Sequence, residues 1–171
     1  MGFKETISEL KKSGEYKKFQ KENPDAYLCA GFFVINEGQT EQRQIDFWAK
    51  KDKIAAFIFQ KDKDGKETVM LKEEEPLKQA AMEKISEKIS FDIEDAEKII
   101  NKEAEKERMK ITKIIAILQI SDGKQVWNLT ALMPSLFMLR MRIDMHGDII
   151  ERTKGSVFDI VRKNDEQKYI G

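Results

Sequence analysis

Few side chains in this chain are suited to chemistry at neutral pH. His146 is the only histidine and Cys29 the only cysteine. An imidazole titrates near neutrality and can relay protons, but His146 opens His146-Gly147-Asp148, a turn-forming sequence. Cys29 lies in an apolar run between Leu28 and Ala30, whereas a reactive thiolate needs cationic neighbours and partial exposure; a buried, inert thiol is expected. One histidine and one cysteine cannot supply the converging ligands of a zinc centre, so neither metal nor cofactor is expected. Asp62-Lys-Asp-Gly-Lys-Glu67 starts like a calcium loop but lacks the third acid before its glycine, and reads better as a hairpin turn. No glycine-rich phosphate cradle, Gly-x-Ser-x-Gly elbow or His-Glu-x-x-His helix occurs. Asn128-Leu-Thr130 and Met1-Gly2-x-x-x-Thr6 match modification patterns only formally. No catalytic residue is therefore assigned.

What remains is a set of positions suited to binding. Asp46 and Asp144 each follow an isoleucine on a strand, where a carboxylate caps the passage into a turn by accepting backbone hydrogen bonds. Phe47, Trp48 and Trp127 are the largest aromatics on the strands, and large aromatics dominate interfaces. Adjacent residues on a strand point to opposite faces, so Phe32-Phe33 and Phe47-Trp48 make both faces of the first sheet partly apolar. Met133, Phe137, Met138 and Met141 do the same in the second. One helix layer covers one face, so the other must meet the rest of the chain, a partner or a ligand. The candidate binding set is Asp46, Phe47, Trp48, Trp127, Asp144 and His146.

The elements that position these residues follow from periodicity. Phe3, Ile7, Leu10 and Phe19 form one apolar helix stripe ending at Asn23-Pro24, with Gly14 as a break. Strand patterns follow at Ala26–Asn36, Gln42–Ala49, Ile54–Phe59 and Thr68–Leu71. Glu73-Glu74-Glu75-Pro76 reads as a helix start, and Leu77, Ala81, Ile85 and Ile89, four apart, predict a connecting helix over 73–91. Asp92 then caps a helix running to about Lys110. Four further strands are expected at Ile111–Ile120, Gln125–Met133, Leu136–Asp144 and Ile149–Thr153, then a short helix over Gly155–Lys163. Short turns make successive strands antiparallel neighbours. The expected class is α+β: two tandem helix-plus-four-stranded meander units, 1–72 and 92–171 (the second with a C-terminal tail), helices on one face of the sheets. Fusion into one compact domain is the alternative.

Of 171 residues, 40% are hydrophobic and 36% charged, yet Lys plus Arg and Asp plus Glu are 31 each. That balance carries none of the basic excess a nucleic-acid or membrane-surface binder needs. The longest uncharged apolar run, Ala26 to Ile35, is half a membrane span. The chain opens on an amphipathic helix rather than an apolar leader, and a lone cysteine forms no internal disulfide. A cytoplasmic location is the expectation.

The second half carries a pattern seen elsewhere: Ile93-Glu-Asp-Ala96, then Val126-Trp127-Asn128-Leu129, then Arg142-Ile143-Asp144-Met145-His146-Gly147-Asp148-Ile149-Ile150. It resembles the PepSY domain, a helix followed by four antiparallel strands, in which one strand ends at aspartate and turns at glycine into the last. Two such units in tandem look like the β-lactamase-inhibitor-protein architecture. The resemblance implies a protein that acts by binding, often near peptidases. The expected function is thus a non-enzymatic protein-binding or regulatory module working through an apolar sheet face, with another protein or a second copy as partner. The alternative is a small-molecule binder or small enzyme with a pocket between helix and sheet.

Overall fold

The computed structural model describes residues 1–76 and 80–159. Helices α1 (Phe3–Lys12) and α2 (Gly14–Glu22) lead into strands β1 (Tyr27–Asn36), β2 (Gln39–Ala49), β3 (Lys53–Lys61) and β4 (Glu67–Glu74). Helix α3 (Ile93–Lys106) precedes β5 (Lys113–Ser121), β6 (Lys124–Met133), β7 (Phe137–Asp144) and β8 (Ile149–Ser156). The α+β class holds.

The two tandem units do not. The strands form a single antiparallel sheet in the order β4-β3-β2-β1-β5-β6-β7-β8. Its seam is β1 against β5, paired from Gly31 with Leu118 to Asn36 with Lys113. Two separate meanders would each leave their most continuously apolar strand with an unpaired edge, a liability that pairing removes. The outer edges instead are β4 and β8, which carry Glu67, Lys72, Glu73, Glu74 and Glu151, Arg152, Lys154, charges that discourage further strand addition.

A second expectation fails at residues 73–91. Glu73 and Glu74 end β4, and residues 80–92 form no helix; Leu77 lies outside the described residues. Ile85 and Ile89 are indeed buried, but on an extended strap held from outside. Ile85 N–H donates to Leu28 C=O at 3.0 Å, and the Gln125 side chain bridges Ser86 N–H and C=O at 2.8 and 3.1 Å. Tyr27 Oη donates to Met82 C=O at 2.7 Å. With its backbone groups met by partners far along the chain, the segment has no need of helical bonds. The terminal helix expected over Gly155–Lys163 is only partly in view: Gly155 and Ser156 belong to β8, Val157–Asp159 are helical, and the rest lies outside the described residues.

All three helices pack on one face of the sheet and share one core with it. Tyr16 and Phe19 of α2 stack on Phe47 and Phe57, ring centroids 5.2–5.9 Å apart. Phe3 of α1 comes so close to β1 that a Cβ on Gly31 would lie 3.0 Å from its ring. Arg43 is buried on this face too, its guanidinium 4.4 Å from the Phe59 ring and paired with Glu9 and Glu67. A buried cation is tolerated only when paired in this way.

Asp92 joins the two helical segments. Its carboxylate accepts from Ile93 N–H at 2.6 Å as the N-cap of α3. It also accepts from Phe3 and Lys4 N–H at 2.8 and 3.1 Å, capping α1 from 89 residues away. One buried carboxylate thus satisfies the starts of two helices. Asp92→Ala should cost about 2–3 kcal/mol, two caps at once, seen as a lower urea midpoint with an unchanged slope.

Candidate functional site: the helix-free face of the sheet

Strand alternation sends half of each strand away from the helices, and the register identifies which residues these are. One row across the sheet reads Met70, Ile58, Gln44, Phe32, Ile117, Asn128, Arg142, Glu151. The next reads Thr68, Gln60, Gln42, Val34, Ile115, Thr130, Arg140, Thr153. On the far side of the first, Lys72, Ala56, Asp46 and Ala30 line up. The buried apolar side chains of α1, α2 and α3 belong to the core on the opposite face, whereas Ala30, Ala56 and Val126 on this side are buried outside that core. The centre of these rows, Phe32, Val34, Ile115 and Ile117, is apolar and only half-buried, and so is Ile58 on β3. Polar groups flank it: Gln42, Gln44 and Asp46 on β2, and Asn128, Thr130, Arg140 and Arg142 on β6 and β7.

The six residues singled out from sequence do not converge. Phe47 and Trp127 are in the helix-side core, 6% and 0% exposed, and so cannot contact a partner. Trp127 stacks edge-on against Phe33 at 5.8 Å and its indole N–H donates to Phe91 C=O at 3.1 Å. Trp48 does point the other way, as strand alternation requires, but is 7% exposed and lies across from Tyr27 and Ile54. Asp144 is a turn residue, accepting from His146 and Asp148 N–H at 2.8 and 3.0 Å, and these two donors, Asp148 first, hold its carboxyl below the usual range. His146 is exposed in that turn, where Gly147 has φ +84° and a Cβ would meet the Phe91 ring at 3.0 Å. Cys29 is buried in an irregularity of β1, and burial pushes its thiol up to about 12.

Asp46, like Trp48, lies on the helix-free side of the sheet. Burial pushes its carboxyl up to about 6, Gln44 Nε2 opposes the shift by donating at 2.8 Å, and Glu74 adds to it. Gln44 is the only donor it has among the described residues. Sequence reading did not find its counterpart on β6. Asn128 Oδ1 accepts from Arg142 Nε at 3.2 Å, but Asn128 Nδ2 is buried without an acceptor among the described residues. It lies in a cleft of about 130 Å³ lined by Thr130, Arg140, Arg142, Glu151 and Thr153. Arg142 is steadied by Asp122 at 3.1 Å and Glu151 at 3.5 Å. Nothing in Asn128-Leu-Thr130 as a motif signals an orphaned amide, because that depends on cross-strand neighbours.

A second cleft, about 200 Å³, lies where α3 meets the ends of β1 and β5, lined by Ile35, Glu97, Asn101, Lys110, Ile111 and Thr112 among others. None of the six candidates reaches it. Among the described residues, no group of three or more His, Cys, Asp or Glu is placed to hold a metal ion, and no helix is long and apolar enough to cross a membrane. No known protein family, curated protein or solved structure matches the chain.

The raised Asp46 value sets a pH dependence. Its folded-state value is above the unfolded one, so the ionised form is the penalised one. The penalty is absent below about pH 4, grows through pH 4–6 and is complete above. In dilute solution Asp46→Asn should therefore stabilise the chain by on the order of 2 kcal/mol at pH 8 and by almost nothing at pH 4. Urea denaturation at both pH values checks this; an equal difference at the two would contradict it.

Proposed function

We propose that this chain is a non-enzymatic protein-binding module that presents the helix-free face of its sheet to another protein. The observation that carries the reading is the face itself: a half-buried apolar centre, Phe32, Val34, Ile115 and Ile117 on the two seam strands, bordered by polar side chains on β2 and β6 with Ile58 beyond Gln44. A patch of that kind on a folded chain marks an interaction surface. Its make-up, apolar in the middle with a polar rim, is that of a protein interface. The resemblance of the second half to PepSY domains, which act by binding, points the same way.

A small-molecule reading would use the cleft between α3 and the sheet. The Asn101 amide there already donates to Glu97 C=O at 2.9 Å. The sheet face is the better-supported site.

Photo-crosslinking separates the two faces. A photoreactive residue at Thr130, on the helix-free face, should give protein adducts in native lysate that the same residue at Lys18, on the exposed side of α2, does not. Ile117→Lys should abolish those adducts without lowering the melting temperature by more than about 3 °C, as expected of a partly exposed position. Adducts equal at both positions, or absent from both, would contradict the reading.

A further inference from the structure

The two arginines of the helix-free face differ in how far they are already engaged. On β7, Arg142 donates to Asn128 Oδ1 at 3.2 Å and meets Asp122 at 3.1 Å and Glu151 at 3.5 Å. Two carboxylates thus oppose its single charge. Arg140, two residues back on the same strand and the same side, is exposed and makes no hydrogen bond or ion pair among the described residues. The register sets Thr130 beside it on β6 and Thr153 beside it on β8, and neither hydroxyl has a partner among the described residues. All three line the cleft of about 130 Å³, with Arg142 and Glu151 in the adjacent row. Followed inward, the Thr130–Arg140 row continues to Ile115 and Val34 of the apolar centre.

Resting on the reading above, we propose that the protein covering this face brings an acidic side chain to Arg140. Its Asp or Glu carboxylate occupies the cleft of β6, β7 and β8, while its apolar residues cover Ile115 and Val34. Arg140 is two strands out from Ile115, so the acid and the apolar contact are about 10 Å apart on the partner. Charge selects a carboxylate. One unmatched positive charge is balanced by one negative charge, and the two carboxylate oxygens fit the planar guanidinium fork. The Thr130 and Thr153 hydroxyls supply further donors for the remaining lone pairs. A phosphoryl group carries nearly two negative charges, and the surplus would stand beside Glu151. A contact of this kind between complementary charges selects among partners that could all cover the same apolar patch.

The test uses the full chain with a photoreactive residue at Gln42, on the same face across the apolar centre from the cleft, so that the cleft stays intact. Adducts formed in native lysate are identified by mass spectrometry. Arg140→Glu should lower their yield by roughly tenfold or more, and Arg140→Lys, which keeps the charge without the fork, by less. Higher salt should lower the yield as well. The same reversal on α2, Lys18→Glu, and phosphatase treatment of the lysate should both leave it unchanged. Arg140 is exposed, so its variants should keep the wild-type melting temperature; if Arg140→Glu does not, Arg140→Gln reads the same contact without a new charge. Replacing the captured protein's acid with arginine should restore adducts to the Arg140→Glu chain. A yield indifferent to Arg140→Glu, or one abolished by phosphatase, overturns the acidic side chain. If Ile117→Lys still removes the adducts in that case, the binding face stands. If no adduct depends on the face at all, both readings fall.

Discussion

The pairing of β1 with β5 is the interaction on which the rest of this molecule depends. Without it there are two short meanders, each with an apolar strand unpaired at one edge. With it there is one sheet, one helix-side core and one continuous helix-free face. The pairing also sets the register of everything outward from it, since each later strand is a hairpin neighbour of the last. Phe32 is next to Ile117, and Val34 next to Ile115, only because Gly31 meets Leu118 and Asn36 meets Lys113. The apolar centre of the face is therefore a product of the seam and belongs to neither half alone.

The helix layer is tied down by a second long-range contact. Asp92 accepts hydrogen bonds from the starts of both α1 and α3, and the strap ahead of it feeds Ile85 and Ile89 into the same core. Ser90 Oγ and Phe91 C=O then engage Met145 C=O and the Trp127 indole. The first half of the chain, the strap and the second half are thereby joined at residues 85–92. On β8, Arg152 reaches back to Glu103 of α3 and to Glu107 at that helix's C-terminal cap, each at 2.9 Å, so the outer edge is held as well.

Local chemistry was legible in the sequence; long-range pairing was not. The two short helices broken near Gly14, the stop at Asn23-Pro24, the Asp64-Gly65 and Asp122-Gly123 turns and all eight strands follow from alternation and turn residues. Asp92 was legible as a cap for the helix beside it, but its second role at Phe3 and Lys4 was not. Spacing misled at Ile85 and Ile89: four residues apart fits a helix face, and fits equally an extended strap whose backbone finds partners on β1 and β6. For the site, alternation correctly placed Phe47 and Trp48 on opposite sides but could not say which side the helices take. That sends Phe47 and Trp127 to the core and leaves Phe32, Ile115 and Ile117 on the face. Asn128 escaped notice because an orphaned amide is a property of its neighbours across three strands.

The helix-free side of this sheet is a surface for another protein to cover. Its energetic motive is ordinary: half-buried apolar area at the seam, with polar groups on either side. Hydroxyl-radical footprinting with and without native lysate tests this most directly, since it reports side-chain cover residue by residue. Oxidation of Phe32 and Ile117 should fall when lysate is added, while the exposed Met1 reacts unchanged. Oxidation of Phe32 and Ile117 that lysate leaves unaltered would contradict it.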